Sequence, residues 1–148
     1  MSQVSHLNVS MGYDSLEEAF PDVECGHVAL GTTVIVQLRV PKSKTKGGVI
    51  LASDTRDTEQ WNTQVAKVVE VGPVAFRNRQ TMQSWPEGAW AKKGDYVRVP
   101  KYAGDKWQVE FVPKGRMRTQ DDVAIFCIFN DLELKAKIPD PLTVKSFV

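Results

Sequence analysis

The chain has 148 residues, with 19 Lys and Arg against 18 Asp and Glu, for a formal net charge of +1. That length suits one domain with a real core, the near-neutral balance lacks the basic excess of a nucleic-acid binder, and 42% hydrophobic with 25% charged residues is a globular composition. No apolar run approaches the ~20 residues of a membrane helix, no leader pattern opens the sequence, and two cysteines, Cys25 and Cys127, make no disulfide scaffold, so a reduced cytoplasmic setting is expected.

The chain reads as strands joined by turns. Residues 1–29 form an N-terminal extension, in which Ser15-x-x-Glu18 is a capping box for a short helix that Pro21 ends. The first strand runs from Thr33 to Val40, with Val34, Val36, Leu38 and Val40 on one face and Thr33, Ile35, Gln37 and Arg39 on the other. Pro41 closes it, since proline cannot donate to a ladder. A connection over 41–64 is longer than the ~12–15 residues usual in compact domains, which marks it as functional or unstructured. Val65–Val71 is a β-branched strand closed by Gly72-Pro73. Gly94-Asp95 turns into Tyr96–Val99, which Pro100 ends. Lys106–Phe111 alternates, with Trp107, Val109 and Phe111 on one face. Val123–Phe129 is apolar on both faces, as in a strand buried between layers. A tail over 139–148 carries Pro139-Asp140-Pro141. Five strands spaced by turn signals predict an all-β small barrel or sandwich.

The long connection contains Gly47-Gly48 followed by three bulky apolar residues, Val49, Ile50 and Leu51, behind a basic start at Lys42, Lys44 and Lys46. Two readings fit. The triplet is a short edge strand packed on the barrel, or it is a flexible docking segment for a groove on a partner. Each buried side chain is worth roughly 1.5–3 kcal/mol before ordering costs, so one copy binds weakly and several copies on a ring bind well.

Read in order, Leu30-Gly31-Thr32-Thr33-Val34-Ile35-Val36, Gly47-Gly48-Val49-Ile50-Leu51, Ala66–Gly72, Lys93-Gly94-Asp95-Tyr96-Val97 and Asp122–Phe126 resemble the co-chaperonin GroES family, with Asp131–Ala136 in the place of its closing strand. The resemblance implies a GroES-like, partly open β-barrel over 30–138, with 41–64 as a mobile-type loop and 73–91 as a roof-type segment. It implies that the chain is no enzyme, takes no cofactor, and forms a homo-oligomeric ring, a heptamer, that caps a GroEL-like chaperonin. Gly47, Gly48, Val49, Ile50 and Leu51 would then contact the chaperonin, and Phe76, Trp85 and Trp90 would sit in the roof or a subunit interface. The extension, the segment 112–121 and the tail depart from the family's pattern and resemble bacteriophage-encoded members, some of which assist a host chaperonin in folding the phage's capsid protein. A second reading is a virion decoration protein that uses the same barrel, with arms that bind the phage major capsid protein on the particle.

Other candidates are weaker. Cys25-Gly26-His27 offers two metal ligands where zinc needs four, or three and water, so no metal site is expected. Glu17-Glu18 and Asp121-Asp122 read as solvated helix starts and turns. Lys42/Lys44/Lys46, Arg77/Arg79 and Lys114/Arg116/Arg118 read as solvated loops rather than as a nucleic-acid track, although an oligonucleotide-binding barrel with nearby aromatics has a similar look. Trp107 is expected in the core. Trp85 and Trp90 flank the turn signal Pro86-Glu87-Gly88. They pack on each other across a hairpin or, preferably, against a neighbouring subunit.

Overall fold

The computed structural model describes Tyr13 and residues 15–40, 63–101, 104–120 and 122–144. Within them the chain forms helix α1 (Leu16–Ala19) and strands β1 (Thr33–Leu38), β2 (Val65–Val71), β3 (Tyr96–Arg98), β4 (Asp105–Glu110), β5 (Val123–Asn130) and β6 (Ala136–Lys137), with a 3-10 turn at Asp131–Glu133. The expected short helix is there, with the Ser15 hydroxyl accepting from the Glu18 N–H at 3.2 Å. All five strands read from the pattern are found within a residue or two of their expected ends, whereas the expected closing strand over Asp131–Ala136 is a 3-10 turn at Asp131–Glu133, with the short β6 only reached at Ala136–Lys137.

The strands make one antiparallel sheet in the order β4-β5-β1-β2-β3-β6. Among the described residues the edge strands β4 and β6 do not pair, so the sheet is not closed. This is the nearly all-β, partly open architecture expected. β1 is central, paired with β2 through Leu38↔Ala66 and with β5 through Val36↔Cys127, and a bulge between Ile35 and Val36 shifts its register on β2.

The two-residue period of the strands divides the apolar side chains between two faces. One face carries Val34, Val36, Leu38, Ala66, Val68, Val97, Ile125, Cys127 and Phe129, joined by Phe76, Ala91 and Leu134 from the connections. On the other face, Ile35, Ala124 and Phe126 pack with Cys25 and Ala29 from the N-terminal segment, and with Trp107 and Val109 of β4. A third group joins Tyr13, Ala19 and Phe20 to Val65 of β2 and Ile138 of the tail, flanked by Leu142 and Val144.

The described parts of both terminal segments therefore lie against the sheet. Gln37 Nε2 donates to the Pro21 carbonyl at 2.8 Å, and the Val40 N–H donates to the Ala19 carbonyl at 2.9 Å. Arg39 is 2% exposed. Its guanidinium lies 5.6 Å from the Tyr13 ring centroid and donates to the carbonyls of Pro141 at 2.7 Å and Val144 at 2.5 Å. No helix among the described residues is long and apolar enough to cross a membrane.

Candidate partner-binding site

Two regions carry the expected site residues. The first is the loop after β1. Gly47, Gly48, Val49, Ile50 and Leu51 lie outside the described residues, but the roots of that loop are well defined. Leu38 pairs with Ala66, and the Arg39 N–H donates to the Val65 carbonyl at 3.0 Å. The chain thus leaves and re-enters the sheet on neighbouring antiparallel strands, at one end of the β1–β2 ladder. The roots are anchored by core residues: Leu38, Val65 and Ala66 are all buried.

The second region is the segment 73–91. It begins where Gly72 crosses Gly31: the Gly72 N–H donates to the Thr33 carbonyl at 2.8 Å, and the Val74 N–H donates to the Gly31 carbonyl at 3.1 Å. A side chain at Gly72 has no room, because its Cβ would fall 2.3 Å from the Gly31 carbonyl oxygen. The segment then doubles back as a narrow hairpin-like turn. Arg77 bridges Ser84, and the Trp85 N–H donates to the Phe76 carbonyl at 3.1 Å. Asn78 Oδ1 accepts from the N–H groups of Gln80 and Thr81, an Asx-type turn that asparagine favours.

Phe76, Trp85 and Trp90 meet here. Phe76 sits edge-on to Trp85 with centroids 5.5 Å apart, and Trp85 and Trp90 are 4.8 Å apart. Phe76 is buried, while both tryptophans are half-buried. Their partly exposed rings leave apolar area on the surface of this segment. Phe76 also has φ 61°, in the left-handed region that bulky residues avoid. Its N–H donates to Oδ2 of the buried Asp131 at 2.8 Å. That carboxylate ties the segment to the 3-10 turn after β5. The sequence pattern set Asp131 at the start of a closing strand and not in this role. The only local signal is Glu133, whose Oε2 accepts from the Asn130 N–H at 3.0 Å in a capping arrangement.

The electrostatics correct one expectation. Asp122 is buried, not a residue of a solvated turn. It accepts from Arg116 at 2.9 Å and 2.5 Å, and from the Thr119 N–H at 2.7 Å. The Arg116 guanidinium first, and the Thr119 N–H after it, hold this carboxyl down at a pKa of about 2. Arg116 is an exposed loop residue, as expected, with its guanidinium paired to this carboxylate. Arg118 pairs with Glu110 at 3.2 Å, and Lys114 with Glu17 at 3.6 Å. The turn before β3 is fixed by Asp95, which accepts from the Lys92 N–H at 3.0 Å and pairs with Lys137 at 3.3 Å. The Lys92 N–H bond is the largest influence lowering the Asp95 carboxyl pKa.

Both cysteines are buried and neither is in a disulfide. Burial pushes the Cys127 thiol up to about 11, which leaves it unreactive at neutral pH. The Cys25-Gly26-His27 turn is structural. The Cys25 carbonyl accepts from the Trp107 indole N–H at 2.8 Å, and the His27 ring lies 4.0 Å from that of Trp107. No group of three or more potential metal ligands occurs among the described residues. Trp107 itself is half-buried, stacked on the buried Phe126 with centroids 6.0 Å apart.

Comparison with known proteins agrees with this architecture. A family model described as the chaperonin 10 Kd subunit matches residues 27–126. The chain is similar to the protein named co-chaperonin GroES from Caldicellulosiruptor saccharolyticus, with 29% identity over 96 residues, 65% of this chain and 92% of the relative. The protein of the same name from Caldicellulosiruptor bescii gives the same figures. That from Tetragenococcus halophilus is 35% identical over 77 residues, 52% of this chain and 73% of the relative.

Proposed function

This chain belongs to the chaperonin 10 Kd subunit family, and from that premise we propose that it works as a co-chaperonin. Copies of it form a ring, sevenfold by resemblance, that caps a GroEL-like chaperonin. Val49, Ile50 and Leu51 are the apolar anchors, and Gly47 and Gly48 free the backbone to place them. The lid itself does no chemistry, and ATP hydrolysis belongs to the partner.

The observation that carries this reading is the position of the loop roots. In a chain matched to the family over 27–126, Leu38 and Ala66 hold the loop's two ends side by side at one end of a central ladder. The connection that carries the apolar triplet thus starts and finishes at one end of the β1–β2 ladder. Repeated around a ring, weak anchors combine through effective concentration. The aromatic segment 73–91 takes the roof position, with the half-buried faces of Trp85 and Trp90 open to a neighbouring subunit.

The finer reading concerns the client. Material outside the matched residues 27–126 suits a lid adapted to a large client such as a phage capsid protein. The described parts of the termini pack on this chain's own sheet, which favours a lid over a lattice protein held by reaching arms.

The test is native mass measurement with a bacterial chaperonin, with and without ATP. A ring that joins the chaperonin only with nucleotide is expected, and Ile50→Asp should abolish the complex while leaving the ring intact. A chain that stays monomeric, or an Ile50→Asp ring that still binds, overturns the proposal.

A further inference from the structure

A cleft of about 440 Å3 opens between the segment 73–91 and the end of β2. Its size falls in the range of small-ligand clefts, roughly 300–1,000 Å3. Val71, Pro73, Ala75 and Ala89 give its wall accessible apolar surface over the buried Phe76 and Ala91, and three cations line it: Arg77, Lys92 and Lys93. Glu70 is its one carboxylate. Arg77 places one N–H on the Met82 carbonyl at 3.4 Å. Among the described residues, neither Arg77, Lys92 nor Lys93 is in an ion pair; Lys92 exerts only a minor Coulombic pull on Asp95.

A second observation points to the same place. Phe76, in the cleft wall, has φ 61°; the other non-glycine residue with positive φ among those described, Met82 at 62°, is in the turn of the same segment and outside the cleft lining. Such conformations cost of order 1–3 kcal/mol each and gather at binding sites, where the surrounding structure holds them. The buried Asp131 supplies that hold for Phe76 at the cleft wall.

We propose that this cleft binds a short extended segment of another polypeptide in which aliphatic side chains alternate with carboxylates. The apolar wall takes the aliphatic group. The uncompensated cations, three against one carboxylate, select acidic neighbours over basic ones. The described lining of the cleft is drawn from residues other than Gly47–Leu51, so the inference goes beyond lid docking and does not depend on it.

The probe is a short, capped peptide of alternating leucine and glutamate, titrated into the full-length protein. Binding is read by tryptophan fluorescence, since Trp85 lies against Phe76, and by amide shifts of Phe76, Ala89 and Lys92. Saturable binding is expected, weakening at least tenfold in the triple variant Arg77→Gln, Lys92→Gln, Lys93→Gln. It should also weaken with added salt, as expected of exposed charges. Ile50→Asp should leave it unchanged, which separates this site from chaperonin docking. The urea midpoint of each variant shows that it is folded, and the single variant Lys93→Gln, at an exposed side chain, serves if the triple is not. Three outcomes overturn the proposal: no saturation at millimolar peptide, equal affinity for a leucine–lysine peptide, or unchanged affinity in the folded glutamine variants.

Discussion

The carboxylate of Asp131 accepts the backbone N–H of Phe76 at 2.8 Å, across 55 residues of sequence and away from solvent. Asp131 is 4% exposed and Phe76 2%. The bond therefore sits where water cannot replace it. It holds Phe76 in a left-handed conformation, and with it the aromatic cluster of the segment 73–91. Removing the acceptor by Asp131→Ala leaves a buried N–H without its partner. The expected loss is about 1.5–3 kcal/mol, the range for hydrogen bonds to charged groups. Asp131→Asn keeps an acceptor and should cost less. Urea denaturation with tryptophan fluorescence measures both. Equal stability of wild type and Asp131→Ala would show that the bond does not hold the segment.

Gly72 tests the crossing that starts the same segment. A Cβ there would lie 2.3 Å from the Gly31 carbonyl oxygen and 2.9 Å from that of Thr33, both backbone atoms that cannot swing aside. Gly72→Ala should therefore lose about 3 kcal/mol, at the upper end of overpacking costs. By contrast, an added Cβ at Gly88 meets nothing within 4 Å, although its φ of 77° still disfavours alanine. Gly88→Ala should thus cost only about 1–2 kcal/mol from backbone conformation. The difference between the two thermal midpoints is the measurement.

Asp122 sets a pH dependence. Its carboxyl titrates near 2 in the fold, against an ordinary value of 3.8. Between those values the unfolded chain binds a proton that the folded chain does not, so stability rises with pH there. The contribution is fully present above about pH 5 and is lost as pH falls through the ordinary value toward 2. Asp122→Asn removes it. The stability gap between wild type and variant should be largest at pH 6 and should close as the pH approaches 2. Urea midpoints at pH 6, 4 and 2.5 follow this; a gap that stays constant with pH would assign the effect to packing instead.

What the sequence made legible follows from the range of the forces involved. Strand alternation is local, so Val34, Val36 and Leu38 could be placed on one face, and Trp107 and Val109 on one face of β4, from spacing alone. Gln37 and Arg39 sit on the opposite face by the same rule. Nothing near them announces that this face is covered as well, since Arg39 finds the Pro141 carbonyl 102 residues away. Asp122 read as a solvated turn because its neighbours are polar. Its burial comes from the Arg116 guanidinium folding over it. The aromatic content of 73–91 pointed to Phe76, Trp85 and Trp90. The positive φ of Phe76 and its tie to Asp131 are tertiary, with no sequence pattern to report them.

Arg39 links the two terminal segments, and its removal should free one of them. It is the largest of the fully buried side chains among the described residues, and it donates to the Pro141 and Val144 carbonyls beside the Tyr13 ring. Arg39→Met keeps the apolar stem but withdraws the donors. Carbonyls left without partners cost about 1–3 kcal/mol, and the lost cation–π contact adds about 0.5–1 kcal/mol. The loss should be local first, because β6 contributes only two residues to the sheet. Hydrogen exchange distinguishes this from general destabilisation. The Ile138 amide, which donates to the Tyr96 carbonyl at 2.8 Å, should lose protection before the central amides of β1 and β5. If β1 and Ile138 lose protection together, the tail is not a separate unit, and Arg39 stabilises the whole sheet instead of clamping its cover.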